Sequence, residues 1–347
     1  MERLKLQFNP YTYVRVVTKR SKLLRKDDYD KLLKLSFPEI AKLLQDGEYK
    51  KEIDELGIYF KGSILIERAL LKNLQSTFDY LKNIARDDII ELINSYEKRY
   101  HLFNVKTIIR AKSRGMPSDE IIKLLLLSER RKNEYIKLTE KSDIHDILSS
   151  LLISKSPKFV SALKYYQETG SLLFIEYELD LEYYRSLFDL AERIPMHGEM
   201  FKEFLLAEID ILNLLSLLKL KLEGLTSEQI YNLLLPFGKV LSKRILYSLV
   251  QKDYASILET LAHTPFKDIV EEHKKELEEK QLINFEHALN KYLLHKTSLL
   301  SHQNPLSVDT ILNFMFSKNN EVRNLMILIK GKELGVDESY IEHQLVV

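Results

Sequence analysis

The sequence predicts an all-α protein, and three observations point that way. Turn formers are scarce: ten glycines and eight prolines in 347 residues, roughly 5% against an average nearer 12%. A sandwich or barrel needs a turn about every 8–12 residues, yet Asp46-Gly47 is the only strong hairpin dipeptide. Finally, one segment with helical spacing is written three times. With 45% hydrophobic and 30% charged residues, the chain has enough apolar side chains for a sizeable core.

The first copy of the repeated segment runs from Asn104 through Ile108-Ile109, Arg110 and Lys112 to Gly115 and Ile121. The second runs from Asn213 through Leu217-Leu218, Lys219 and Lys221 to Gly224 and Ile230. The third runs from Asn324 through Leu328-Ile329, Lys330 and Lys332 to Gly335 and Ile341. All three fit N-x3-φφ-[KR]-x-K-x2-G-x5-I, with φ Ile or Leu, and the glycines lie 109 and 111 residues apart. Such self-similarity at a fixed period marks a repeat architecture.

Each copy reads as a helical hairpin. Asn104, Ile108 and Lys112 share one helix face. The basic pair falls in the last turn, where a cation meets the negative end of the helix dipole. The glycine then takes the left-handed position after the helix, and a new helix starts at once. Ser118 precedes Asp119-Glu120 in the first copy, and Thr226-Ser227-Glu228-Gln229 forms a capping box in the second. Ending one helix and starting another accounts for the glycine and the basic pair. It does not account for a mid-helix asparagine, whose amide is expected to bond neighbouring backbone at a helix crossing.

Weaker echoes precede the motif. Asp28-Tyr29 with Leu32-Leu33 and Pro38 resembles Asp253-Tyr254 with Ile257-Leu258 and Pro265. Glu67, Ala69-Leu70 and Leu74 resemble Glu286, Ala288-Leu289 and Leu293, while the middle copy offers only Glu178-Leu179. The expected division is 1–127, 128–236 and 237–347, three helical repeats of about 110 residues making one fold.

Charge and composition narrow the function. A net charge of +1 argues against binding nucleic acid over the whole surface. The first 34 residues carry ten Lys/Arg against four Asp/Glu and read as a solvated helix face. With no cysteine there is no disulfide, no thiolate nucleophile and no Cys-ligated metal. A cytosolic setting fits. The start, Met1 to Lys5, lacks an apolar signal core, and no uncharged run approaches the ~18–20 residues that span a bilayer.

The usual chemical motifs are imitated rather than met. Gly57 to Gly62-Ser63 has the outer spacing of a phosphate loop but lacks the lysine. Asp87, Asp88 and Glu91 form an acidic cluster of the kind that holds Mg²⁺, without a second acidic motif; the first turn of a helix explains them more simply. His273 and His287 each follow a glutamate on helices that read as exposed, so both are expected in solvent. His197 sits in the loop signal Pro195-Met196-His197-Gly198 without a partner. No GxSxG elbow exists, and Tyr165-Tyr166 and Tyr183-Tyr184 read as packing tyrosines with wet hydroxyls. No catalytic residue, cofactor site or metal site is expected.

Over almost its whole length, the chain resembles the C subunit of the archaeal and bacterial V/A-type ATP synthases, the equivalent of the d subunit of the vacuolar ATPase. The likeness runs from Pro10-Tyr11-x-Tyr13-x-Arg15 through Tyr100-x3-Asn104-x5-Arg110-x-Lys112-x2-Gly115. It returns at Leu234-Leu235-Pro236-Phe237-Gly238 and closes with Asn320-Glu321-x-Arg323-Asn324 and Lys332-x2-Gly335. Phe237 departs from the pattern, where the family often has a second glycine.

The resemblance implies a pseudo-threefold helical funnel without catalytic residues. Such a component links the rotor shaft of the soluble ATPase head to the membrane proteolipid ring, one copy per complex. It transmits torque for proton or sodium transport and lies on the cytoplasmic side, peripheral to the membrane and without a span of its own. Arg110, Lys112, Lys219, Lys221, Lys330 and Lys332 are then candidate contacts for a partner, and Asn104, Gly115, Asn213, Gly224, Asn324 and Gly335 are structural. A helical-repeat adaptor and a Mg-dependent all-α enzyme using Asp87, Asp88 and Glu91 are the alternatives.

Overall fold

In the computed structural model the described residues are 10–85, 88–126, 131–150, 157–194, 199–303 and 309–347. They form helices and no strand. Four short helices come first, α1 (Pro10–Arg20), α2 (Lys26–Leu33), α3 (Phe37–Asp46) and α4 (Lys50–Leu56), then a long pair, α5 (Gly62–Ile84) and α6 (Asp88–Ser113). Short helices α7 (Ser118–Leu124), α8 (Lys132–Thr139), α9 (Ile144–Ser150) and α10 (Pro157–Thr169) lead to the second long pair, α11 (Leu173–Arg193) and α12 (Glu199–Leu222). The helices α13 (Ser227–Asn232), α14 (Lys243–Val250), α15 (Tyr254–Leu261), α16 (Lys267–Glu272) and α17 (Lys274–Glu278) follow. The third long pair is α18 (Ile283–Gln303) and α19 (Asp309–Glu333), and α20 (Glu338–Gln344) ends the chain.

Local sequence sets many of these boundaries. The Thr226 hydroxyl accepts from the Gln229 N–H while Gln229 Oε1 accepts from the Thr226 N–H, the capping box that the sequence predicts. Ser36 and Glu39 form another before α3, whose first turn holds Pro38. Asp253 caps α15 through the Ser256 N–H. Ser118 behaves otherwise: its hydroxyl donates to the Thr139 carbonyl, 2.6 Å away, and ties α7 to α8.

The helix order also shifts the early echo. α2, α8 and α14 are each eight residues long and start with a lysine; α8 and α14 follow a post-glycine helix, and α2 packs on the post-glycine helix α20. So Tyr29, Tyr135 and Leu246 correspond, all buried, whereas the sequence echo aligns Tyr29 with Tyr254 of the next helix.

The six long helices close on themselves. α6 packs on α11, α12 on α18, and α19 on α5, in addition to the contacts within each pair. The short helices repeat this cyclic pattern: α7 packs on α8, α13 on α14, and α20 on α2. Two hydrophobic clusters cover residues 105–179 and 211–289, straddling residues 127 and 236. A third, larger cluster joins the chain start to α6, α11, α12 and α19. The second half of each motif helix therefore buries its apolar face against the segment that follows it, and for α19 that segment is the beginning of the chain.

Candidate functional site

The three motif copies adopt one local conformation. Gly115, Gly224 and Gly335 have φ of 70°, 78° and 66°, the left-handed region that costs a side chain about 1–2 kcal/mol. Each glycine N–H bonds the carbonyl three residues back, and the next N–H reaches the carbonyl five residues back: Met116 to Ala111, Leu225 to Leu220, Val336 to Gly331. This is the double-bonded helix end that a glycine permits.

The asparagines act at longer range than expected. Asn104 Nδ2 donates to the Leu126 carbonyl at 2.9 Å and its Oδ1 accepts from the Leu126 N–H at 2.8 Å. Asn213 does the same with Leu235, and Asn324 with Val346. In every copy the partner lies 22 residues on, where the chain emerges from the post-glycine helix. Each side chain thus satisfies both backbone polar groups of one residue at a helix end.

Three residues before each asparagine stands a polar group that reaches a more distant segment. The His101 Nδ1 lies 3.1 Å from the Tyr135 hydroxyl. Asp210 accepts N–H groups from Lys239, Val240 and Leu241 at 2.8–3.2 Å. Burial nevertheless raises its carboxyl above the ordinary range, against the pull of those donors. Glu321 accepts from the Leu24 N–H, the Tyr49 hydroxyl and Lys318 Nζ. Lys318 and Glu321, only 5% and 4% exposed, are paired within α19, and the bonds from Leu24 and Tyr49 to Glu321 fasten that helix to the early segment.

The basic pairs divide their work. Arg110 pairs with Glu176, Lys219 with Glu286 and Lys330 with Glu67, each joining a motif helix to the long helix it meets in the closed ring. Glu176, rather than Glu178, is the middle counterpart of Glu67 and Glu286. Lys112 and Lys332 instead serve their own hairpins, through Ser118 and Glu338, while Lys221 ties its hairpin to α14 through the Val250 carbonyl.

One face of the motif helices changes character along its length. Near the N-terminal ends these faces meet. The Phe204 and Phe316 rings stack at 3.8 Å and Tyr96 lies 5.0 Å from Phe316. Arg99 makes a two-pronged pair with Glu208 and covers the Tyr96 ring. The Tyr100 hydroxyl donates to Asn319. Steps of three or four residues then carry these faces to Phe103 and Arg110 on α6 and to Arg114 just past its end. On α12 they lead to Leu212 and Lys219 and, just past its end, Glu223; on α19 they lead to Arg323 and Lys330 and, just past its end, Leu334. All but half-buried Leu212 are exposed. Three helices that are packed together at one end therefore present the same faces to solvent toward their glycine ends.

Comparison with known proteins places this geometry. The model of the ATP synthase (C/AC39) subunit family matches residues 12–344. The chain belongs to the ATP synthase C/AC39 subunit family. It is 31% identical to the C subunit of the A-type ATP synthase of Methanosarcina barkeri, over 97% of this chain and 92% of the relative. The counterpart from Methanosarcina mazei is 32% identical with the same coverage, and that from Haloferax volcanii 29%, over 98% of both chains.

In this C/AC39 family member the remaining sequence candidates have structural employment. Glu91 pairs with Arg193 at 3.0 Å, Asp88 is engaged in an interaction of its own, and Asp87 and His197 lie outside the described residues. The one group of three possible metal ligands among the described residues is Asp143, His145 and Asp146, all exposed. There Asp143 caps α9 and Asp146 accepts from Ser142. Tyr183 and Tyr184 are buried, and the Tyr183 hydroxyl donates to the Tyr96 carbonyl instead of reaching water. His287 is a correction: it is 6% exposed, not solvated, because the cleft-lining groups of α16 and α20 enclose its face of α18. No described helix is long and apolar enough to cross a membrane.

Proposed function

We propose that this protein is a non-catalytic central-stalk rotor component of a V/A-type ATP synthase, built from three helical repeats (1–127, 128–236 and 237–347) arranged as a pseudo-threefold funnel. Its open end takes the rotor shaft of the ATPase head. Its other end rests on the membrane proteolipid ring, peripheral to the membrane on the cytoplasmic side, one copy per complex. It transmits torque for proton or sodium transport. The observation that carries this reading is the cyclic closure of the six long helices, in which α19 returns to α5. A closed ring resists twisting in a way that an open solenoid, whose repeats touch only their neighbours, does not. Its interior is filled by large apolar side chains such as Phe78, Tyr96 and Phe316, and close packing transmits strain.

The socket of this funnel is the set of exposed faces beyond the aromatic contact. Arg110, Lys219 and Lys330 stand at equivalent heights on it, their side chains 47–59% exposed, and meet acidic groups of the shaft; Lys112, Lys221 and Lys332 stiffen the rim. The test is purification of the tagged protein from gently solubilised membranes of its host. The proteins of the ATPase head and a small apolar ring protein should accompany it, and their absence from an intact preparation would exclude the rotor role. Reversing the charge of Arg110, Lys219 and Lys330 should then release the head; full retention would exclude the basic socket alone.

A further inference from the structure

The residue that stands before the motif glycine is Arg114 in the first copy, Glu223 in the second and Leu334 in the third. Each lies just past the end of its long helix and is exposed, Leu334 to 76%. The glycine that follows has the same left-handed φ in every copy and closes the same pair of backbone bonds. Three equivalent tips, held in one backbone conformation, therefore carry a cation, an anion and a hydrophobe.

The other charges of the motif are already engaged. Arg110, Lys219 and Lys330 meet Glu176, Glu286 and Glu67, and Lys112, Lys221 and Lys332 are hydrogen-bonded. The side chains of Arg114 and Glu223 have no partner among the described residues. The space around the tips is open, since a Cβ built on Gly115, Gly224 or Gly335 meets nothing within 4 Å. One exposed arginine, glutamate or leucine is ordinary. Three unlike ones at the same place in a closed, repeated ring break its symmetry at the end where the chain leaves room for a partner.

We infer, on the rotor reading above, that Arg114, Glu223 and Leu334 form a key that fixes the rotational setting of the shaft in its socket. Three equivalent walls would accept a shaft in three settings, a third of a turn apart, with similar energy. The basic belt is the same in every wall and does not choose among them; the tips do. The matching shaft surface carries a carboxylate opposite Arg114, a basic group opposite Glu223 and an apolar side chain opposite Leu334. Turning that surface by a third, in either direction, sets one pair of like charges face to face and leaves both other tips against unmatched chemistry. Such a repulsive element discriminates more sharply than added attraction. Shaft and ring then keep one angular offset through every revolution.

The test moves the key without changing its parts. Arg114→Glu, Glu223→Leu and Leu334→Arg are combined in one full-length chain, which keeps composition and net charge. The purified ATPase head of the host, with its shaft, is bound to immobilised wild type and variant. The natural chain has no cysteine, so Ile64→Cys can carry a photo-crosslinker in both. Ile64 is 57% exposed and adjoins Ser63, whose hydroxyl donates to Glu333 beside Leu334. Wild type should crosslink to one shaft peptide. The variant should bind the head at least about tenfold more weakly, or bind it with the crosslink moved to a different shaft peptide. Leu334→Arg alone, which disturbs only an exposed side chain, should also weaken binding. The key is refuted if the permuted chain binds within about threefold of wild type through the same peptide, if Leu334→Arg binds unchanged, or if wild type crosslinks to several faces of the shaft equally. A wild-type protein that does not bind the head at all sinks the rotor reading itself, and the key with it.

Discussion

The carboxamide of Asn213 and the backbone of Leu235 are paired in both directions: Nδ2 donates to the carbonyl at 2.8 Å, and Oδ1 accepts from the N–H at 2.7 Å. Both residues are buried. Asn213→Ala leaves two backbone groups unpaired away from water and should cost about 2–4 kcal/mol. At Asn104 the partner Leu126 is only half-buried, so water can substitute and about 1–2 kcal/mol is expected. Urea midpoints of the two variants check the order; equal losses would contradict it.

The motif glycines are constrained by backbone alone. A Cβ built on Gly115, Gly224 or Gly335 meets nothing within 4 Å, so Gly115→Val should cost about 1–2 kcal/mol, the left-handed penalty. Gly331 is the opposite case: an added Cβ would lie 2.6 Å from the Ile341 side chain, and Gly331→Ala should cost about 1–3 kcal/mol through overpacking. Thermal unfolding of both variants measures the two costs separately.

Lys280 has φ of 63° and is the only non-glycine residue with positive φ among those described. It ends α17 with the same pair of bonds, Lys280 N–H to Leu277 and Gln281 N–H to Glu276, that the motif glycines make. Lys280→Gly should therefore raise stability by about 0.5–1 kcal/mol. A lower melting temperature for this variant would refute the strain argument.

Lys318 and Glu321 form the buried pair beneath Tyr49. Lys318→Met leaves a carboxylate buried with only neutral donors and should cost about 3–5 kcal/mol. Arg110→Gln removes a pair whose arginine is 54% exposed and should cost under ~1 kcal/mol. A double comparison by denaturant unfolding tells whether the seam or the rim holds the ring together.

Burial and the cations around His287 lower its pKa from 6.5 to about 4. The unfolded chain then takes up a proton near pH 6.5 that the native imidazole refuses until about pH 4. The histidine's contribution is full above pH 6.5 and fades as pH falls through that window. Wild type should lose more stability than His287→Gln between pH 7 and pH 4.5, by on the order of 2 kcal/mol. Parallel losses in the two proteins would show a solvated histidine.

Local chemistry is legible in the sequence and long-range partnership is not. Gly115 and the Thr226 capping box depend on a few adjacent residues, so spacing reveals them. Asn104 stands out only as an anomaly, because its partner at Leu126 lies beyond a whole intervening helix. The glutamates that meet Arg110, Lys219 and Lys330 are 66 or more residues away in sequence, and nothing local distinguishes Glu176 from Glu178. His287 misleads for a related reason: α18 carries charged residues on several sides, yet it is enclosed by α12, α16, α17 and α19. Ring closure itself leaves no mark in any one segment, since it is a relation between the chain's two ends.

That relation bears on how the protein is made. The contacts that seal the ring, Leu24 to Glu321 and Ser63 to Glu333, join residues 297 and 270 positions apart. The other two junctions can assemble as the ribosome delivers successive segments, but the last must wait until α19 has been delivered. Until then the apolar faces of α1, α3 and α5 that α19 will cover stay open.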